Sequence, residues 1–233
     1  MTKELTILMP CLNEAKTIEY CIAEAKRFLL ENNINGEILV ADNMSSDNSA
    51  WLAEKNGARV VKVAEKGYGN ALIGGINAAE GKYIIMGDCD MSYDFYNLNE
   101  FLTMLRSGYK LVMGNRFKGG IEKGAMPFLH RLGVPFLSFV GRICYKVKVG
   151  DFHCGLRGFE REAALSLGLS CIGMEFATEI IGRFAVNGYE IAEIPIVLRK
   201  DGRNGKSHLR SFPDGLRHLS LMLSGKIKKT YRK

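Results

Sequence analysis

Two carboxylates stand one residue apart in Gly87-Asp88-Cys89-Asp90, directly after the apolar run Tyr83-Ile84-Ile85-Met86. A β-branched and aromatic run of that length predicts a buried strand. Both aspartates then emerge at its carboxyl end, where open α/β sheets hold their ligands. Oxygen-only ligation suits the hard cations Mg2+ and Mn2+, which bind one or two carboxylates and leave positions for waters and substrate phosphates. A metal and phosphate site with Asp88 and Asp90 as ligands is one reading. Loop aspartates capping the next helix are the other, and the motif alone leaves both open.

The elements around this pair predict a place for it. Leu5 to Met9, Glu37 to Ala41, Ala58 to Val63 and residues 83 to 87 read as strands, and residues 14 to 31, 47 to 56 and 68 to 80 as helices. Strands alternating with helices imply an α/β fold with a mostly parallel central sheet and helices on both faces. Polar residues follow each strand: Asn13 and Glu14, Asp42 and Asn43, Lys66, then Asp88 and Asp90. One sheet edge therefore collects carboxylates and a lysine. Asn13, Asp47 and Asp42 also have the chemistry of helix caps and turns.

Composition bounds the class. The chain has 233 residues, 47% hydrophobic and 24% charged, which is globular and long enough for one α/β domain. No apolar run is long enough to span a bilayer, and the start does not resemble a signal peptide, so a cytoplasmic protein is expected. The six cysteines show no zinc-type spacing and read as reduced thiols. Net charge is +7, with Lys226, Lys228, Lys229, Arg232 and Lys233 crowded at the end. Such a cluster can serve nucleic acid, an anionic membrane surface or solubility alone; no zinc-finger spacing or RNA-binding aromatic pattern is present, and no nucleic-acid partner is expected. His130, His153, His208 and His218 show no mutual ligand spacing and read as packed or surface histidines.

Several segments in order carry a family resemblance. Met9-Pro10-Cys11-Leu12-Asn13-Glu14 resembles the P-x-x-N-E start of glycosyltransferase family 2, and Asp42-Asn43-Met44-Ser45-Ser46-Asp47 its D-D-G-S-x-D turn. Lys66-Gly67-Tyr68-Gly69-Asn70-Ala71 resembles the K-G-x-G-x-A segment, and Asp88-Cys89-Asp90 the D-x-D motif. Gly114-Asn115-Arg116-Phe117 and the stretch from Asp151 to Arg157 resemble segments of the dolichol-phosphate mannose and polyprenyl-phosphate glucose synthase branch.

The resemblance implies a GT-A-type nucleotide-sugar-binding fold and a metal-dependent, inverting transfer of a hexose from a UDP- or GDP-hexose to an undecaprenyl or dolichyl phosphate. In that reading Pro10, Asn13, Glu14, Asp42, Lys66 and Asp88 bind the donor, and Asp88 and Asp90 hold Mg2+ or Mn2+. Asp90, Asp151 and Arg116 are the catalytic candidates. A leaving diphosphate needs its growing charge neutralised, which a divalent cation does. Gly67 and Gly69 would let the backbone approach the donor closely before the following helix. A phosphate monoester acceptor is largely dianionic at neutral pH, so positioning by cations matters more than a strong base. Arg116 and Arg131 are the expected acceptor-phosphate forks, and Asp151 orients the acceptor or takes a proton if the acceptor is a hydroxyl. Arg203 and Lys206, in a loop resembling the branch's R-x-x-G-x-S/K segment, would close over the donor diphosphate. Glu179 matches the branch's helix glutamate and reads as support.

Asn43 and Met44 depart from the pattern, where aspartate and glycine are usual, and Pro135 stands where the branch carries a serine. The apolar stretch from Ala125 to Val140, broken by Pro127 and Pro135, reads either as a core helix or as an interfacial segment beside lipid. A catalytic domain over residues 1–212 is expected to be followed by an amphipathic basic tail over 213–233, in which Leu216, Leu219, Leu223 and Ile227 share a helical face. Peripheral placement on the cytoplasmic face of the membrane follows from that tail, with a membrane-protein partner or a homo-oligomer as further expectations. The alternatives are a glycosyltransferase acting on a saccharide or protein hydroxyl, or a noncatalytic nucleotide-sugar-binding protein.

Overall fold

Seven strands form one sheet: β1 (Leu5–Cys11), β2 (Gly36–Asp42), β3 (Arg59–Lys62), β4 (Tyr83–Met86), β5 (Leu111–Asn115), β6 (Arg157–Glu160) and β7 (Ile191–Pro195). The helices are α1 (Ile18–Glu31), α2 (Ser49–Lys55), α3 (Tyr68–Ala78), α4 (Asn99–Arg106), α5 (Arg116–Gly119), α6 (Phe128–Tyr145), α7 (Arg161–Ser166), α8 (Phe176–Val186) and α9 (Ser211–Leu223). The structure, a computed structural model, describes residues 3–203 and 211–228. Lys206, His208, Lys229, Arg232 and Lys233 lie outside them.

Every residue of β1 is buried, because helices cover both sheet faces. The strand order is β3-β2-β1-β4-β6-β5-β7. The first four strands run parallel, and β6 enters antiparallel to both β4 and β5. The sheet is thus mixed and mostly parallel. The carboxyl ends of β1, β2 and β4 lie side by side, with Leu8 beside Met86 and Cys11 beside Asp42. That edge gathers Asn13, Glu14, Asp42, Asp88 and Asp90.

The first helix starts later than its sequence pattern predicts. Asn13 takes a left-handed φ of 59°. The amides of Glu14 and Ala15 donate to Ser49 Oγ at 2.8 Å and Asp47 Oδ2 at 3.1 Å. Those amides are committed to the turn before α2, so residues 14 to 17 form a turn and the helix begins at Ile18.

The apolar stretch before residue 140 forms α6, which passes through Pro135. Proline removes the amide that would bond the carbonyl of Arg131. The buried face of α6 is Ser138, Gly141 and Tyr145, whereas Phe128, Leu132, Phe136, Phe139 and Ile143 are exposed. This inverts a core helix. The tail helix α9 packs against α6 and α8 through Asp214, His218 and Met222, which are buried, and leaves Leu216 and Leu223 exposed. Leu219 is half-buried. Ile227, expected on that exposed stripe, lies beyond the helix end and packs beside Gly182 of α8, because the chain turns at the left-handed Gly225 (φ 61°).

The His218 ring bonds Thr178 Oγ1 at 2.8 Å and meets His153 edge-on at 4.4 Å between centroids. The two histidines are packed against each other rather than arranged as ligands. Burial lowers His218 to about 4 and holds His153 well below its ordinary value. Unfolded histidines titrate near about 6.5, so the unfolded chain binds more protons between these values. The contribution of His218 is therefore complete above about pH 6.5 and is lost as pH falls toward 4, and that of His153 is lost in the same direction. Thermal melts between pH 7.5 and 5 should show a smaller acid-induced drop in Tm for His218→Gln than for the unsubstituted chain. Equal drops would remove this histidine from the acid response.

Candidate active site

Each aspartate after β4 has its Oδ1 held by a nearby hydroxyl donor. Tyr68, the first residue of α3, donates its hydroxyl to Asp88 Oδ1 at 3.0 Å. Ser92 donates its amide at 3.0 Å and its hydroxyl at 2.5 Å to Asp90 Oδ1. The other oxygen of Asp90 accepts from Arg203 Nη2, whose Nη1 donates to Glu14 Oε1 at 2.9 Å. Arg203 is carried there because Gly202 donates its amide to the carbonyl of Asp90 at 2.8 Å and Arg199 donates to the carbonyl of Ser92 at 3.0 Å. Glu14 also accepts from Thr17 Oγ1 at 3.2 Å.

Crowding of negative charge shows in the protonation of this cluster. Burial, then the carboxylate of Asp90, pushes Asp88 up to about 6, with the Tyr68 hydroxyl opposing. Burial pushes Glu14 up to about 7 against the opposing pull of Arg203.

Among the described residues no cluster of three or more His, Cys, Asp or Glu side chains could hold a metal. Two carboxylates with hard oxygen donors fit a Mg2+ or Mn2+ ion that keeps waters and substrate phosphates in its remaining positions. Such an ion would be held by Asp88 and Asp90, oriented by Tyr68 and Ser92 as outer partners. The sequence did not single out these two residues. Only Tyr68, at the variable position of K-G-x-G, stood in a motif at all.

The other donor-side candidates surround this centre. Pro10 is buried at the end of β1, and Asp42 is buried at the end of β2, where its Oδ1 accepts the Ser45 amide at 3.3 Å. Asn13 Oδ1 accepts from the Ser46 amide at 2.8 Å, which joins the loops after β1 and β2. Lys66 is exposed on the loop before α3. Asn43 is buried and fully used: Nδ2 donates to the carbonyls of Val63 and Glu65, and Oδ1 accepts the Gly67 amide at 2.8 Å. An ionised aspartate could not donate to those carbonyls. Met44 keeps the left-handed φ (67°) that glycine would supply and projects an exposed side chain.

Gly67 and Gly69 do allow a close backbone approach, but by this chain itself. A Cβ on Gly69 would lie 1.9 Å from the carbonyl oxygen of Cys171, and the Gly69 amide donates to the carbonyl of Ile172 at 2.9 Å. The start of α3 is therefore capped by the 171–172 loop instead of standing open to a phosphate. Glu179 holds that loop, accepting the Ser170 and Cys171 amides, the latter at 2.7 Å.

On the acceptor side the structure joins two residues that the sequence reading kept apart. Arg116 Nε and Nη2 donate to Asp151 Oδ2 and Oδ1 at 2.7 and 2.8 Å, a bidentate pair closed off from solvent. The fork expected to grip a phosphate is thus filled by a carboxylate, and the carboxylate expected to meet the acceptor is tied to a cation. Glu193 holds this loop from β7, accepting the Gly150 and Asp151 amides at 2.6 and 3.0 Å. Gly155, in the same loop, approaches Asp88 closely enough that a Cβ would lie 2.6 Å from its Oδ2. Arg131 is exposed on the first turn of α6.

A mixed sheet with converging strand-end carboxylates is the architecture of GT-A-type nucleotide-sugar enzymes. The sequence matches the Glycosyl transferase family 2 profile over residues 6–168, and the chain belongs to that family. It is 42% identical over 94% of its length to the low-salt glycan biosynthesis hexosyltransferase Agl6 of Haloferax volcanii, of which it spans only about half (53%). It is 30% identical to a dolichyl-phosphate hexose transferase of the same organism, covering 91% of this chain and 89% of that protein. Glucosyl-3-phosphoglycerate synthase from Mycobacterium tuberculosis, solved with UDP, shares the fold with a TM-score of 0.72 at 20% identity over 95% of this chain and 79% of that one.

Asp151→Asn should leave the buried Arg116 charge without its partner and cost about 3 kcal/mol of stability, read by urea denaturation. A variant of unchanged stability would show that the pair does not hold the loop.

Proposed function

We propose that this chain transfers a hexose, with inversion, from a nucleoside diphosphate hexose to a polyprenyl phosphate presented at a membrane surface. The observation that carries the transfer is the placement of Asp88 and Asp90 beside Glu14 and Asp42 at one sheet edge, with oxygens oriented by Tyr68 and Ser92. A divalent cation bound there would neutralise charge on the departing diphosphate. Pro10, Asn13, Asp42 and Lys66 would receive the nucleotide, and Arg203 its diphosphate; Lys206 is assigned with it from sequence. The names of the two archaeal relatives support hexosyl transfer, and one of them supports a dolichyl phosphate acceptor.

The acceptor assignment draws on the outward faces of α6 and α9. Phe128 is 76% exposed, Phe136 59% and Leu216 64%, on two helices that pack against each other. The loop that ties Arg116 to Asp151 hangs from the inner side of the same helices, through Ser138 Oγ to the Phe152 amide and through His218 to His153. An apolar face of this kind, with Lys226 and Lys228 beyond it, suits a lipid surface. No helix among the described residues is long and apolar enough to cross a membrane.

The second reading is a hydroxyl acceptor, which the solved structures favour: glucosyl-3-phosphoglycerate synthase has been crystallised with Mn2+, UDP-glucose and phosphoglyceric acid. A hydroxyl needs a base, and the engagement of Asp151 with Arg116 weighs against that carboxylate serving as one. A dianionic phosphate needs none.

Radiolabelled UDP- and GDP-hexoses offered with a polyprenyl phosphate or with phosphoglycerate and soluble sugars decide between these acceptors. Transfer to the lipid phosphate is expected. Transfer only to hydroxyls would establish the second reading. Asp90→Asn should cut either transfer by about a thousandfold while the melting curve is retained. Residual transfer near the original rate would remove Asp90 from the chemistry.

Replacing Leu132, Phe136 and Phe139 with serine should weaken binding to vesicles containing anionic lipid about tenfold or more, with transfer to a short water-soluble polyprenyl phosphate retained. Undiminished vesicle binding would move the membrane contact away from α6.

A further inference from the structure

The Arg203 guanidinium occupies the oxygen that a cation shared by the two aspartates would need. Asp90 Oδ1 is already committed to Ser92, and Asp88 Oδ1 to Tyr68. With two Ser92 donors on Asp90 Oδ1, a metal drawing on Asp90 is left with Oδ2, to which Nη2 of Arg203 donates. Its other fork nitrogen neutralises Glu14, which is buried among the same charges. The backbone bonds of Gly202 and Arg199 to the Asp90–Ser92 loop aim the Arg203 side chain at Asp90, 113 residues away in sequence. The Nε of Arg203 is buried without a hydrogen-bond partner among the described residues and lies 4.0 Å from Asp201 Oδ1.

We propose that Arg203 is an exchangeable counter-ion: it bridges Asp90 and Glu14 until a divalent cation displaces it from Asp90, and it then turns to the donor diphosphate. The cation and the arginine compete for one carboxylate oxygen. A diphosphate that draws Arg203 away therefore favours the cation, and by linkage the cation favours the diphosphate. Metal and nucleotide would bind in a mutually dependent manner, and a metal ion alone would be held weakly. Arg203 acts here as a positioning residue. The diphosphate half of this exchange rests on the proposed donor; the half at Asp90 does not.

Titration of the full chain with Mn2+, followed by the EPR signal of the free ion with and without UDP, tests both halves. Arg203→Gln should bind Mn2+ alone about tenfold more tightly than the unsubstituted chain, and the tightening of Mn2+ by UDP should shrink severalfold, within the range usual for coupled sites. A structural role for Arg203 would instead weaken Mn2+ binding. Arg203→Lys keeps the charge but cannot span both carboxylates, so it should shift Mn2+ binding the same way by less; it decides the question if the glutamine variant melts early. Mn2+ binding that is unchanged or weaker in both variants would overturn the exchange at Asp90. Tighter Mn2+ binding with undiminished UDP coupling would overturn the turn to the diphosphate. If neither UDP nor GDP binds any of the chains, the proposed donor fails while the Mn2+ comparison still stands.

Discussion

Like charges converge where β1 and β4 lie side by side, and the way they are compensated organises everything around them. Glu14, Asp88 and Asp90 come from the ends of two neighbouring parallel strands, so the sheet register itself forces their carboxylates together. Burial raises Glu14 to about 7 and Asp88 to about 6, and the nearby Asp90 carboxylate adds to both. Tyr68, Ser92 and Arg203 supply the opposing donors, and each arrives from a different segment. Taking Tyr68 away would cost buried Asp88 its donor, whereas Asp90 and Glu14 each accept from two residues, Ser92 with Arg203 and Thr17 with Arg203.

A second network stands beside the first and shares its logic. The loop from Gly150 to Gly155 is pinned by Glu193 from β7, by Ser138 from α6 and by His218 from α9, and it carries Asp151 into the buried pair with Arg116. Its far end brings Gly155 against Asp88 and the Tyr93 hydroxyl, to which the Gly155 amide donates at 2.8 Å. The helices with outward apolar faces are thereby joined, through one loop, to the carboxylates at the sheet edge. Packed contact therefore runs from α6 and α9, through that loop, to Asp88.

Much of the first half of the fold was legible because its signals are local. The strands that begin at Leu5, Gly36 and Tyr83 are continuous apolar runs, buried on both faces, and the polar residues at their ends follow within two or three positions. The second half was legible only in part. The strand Arg157–Glu160 is only four residues long, contains a fully buried arginine, and lies antiparallel between two strands that precede it. Its apolar pattern does not mark it, because Arg157 is held by the carbonyl of Cys154 just before the strand and by that of Ala177 in α8, a segment twenty residues on. The helix Phe128–Tyr145 was ambiguous for the opposite reason: its apolar residues are plain in the sequence, but which face is buried depends on where its neighbours lie.

The sequence by itself determined which residue types reach the carboxyl edge of the sheet, since strand length and the period of two carry that information along the chain. It also determined the family, through short motifs in a set order. Only the tertiary structure decided how those residues are paired. Asp151 meets Arg116 across 35 residues and Arg203 meets Asp90 across 113, and the glycines of Gly67-Tyr68-Gly69 face the 171–172 backbone of their own chain. Ion pairs and close approaches of this kind depend on the crossing of distant loops. Residue type sets which contacts are chemically possible, and the packing of the sheet and its helices selects among them.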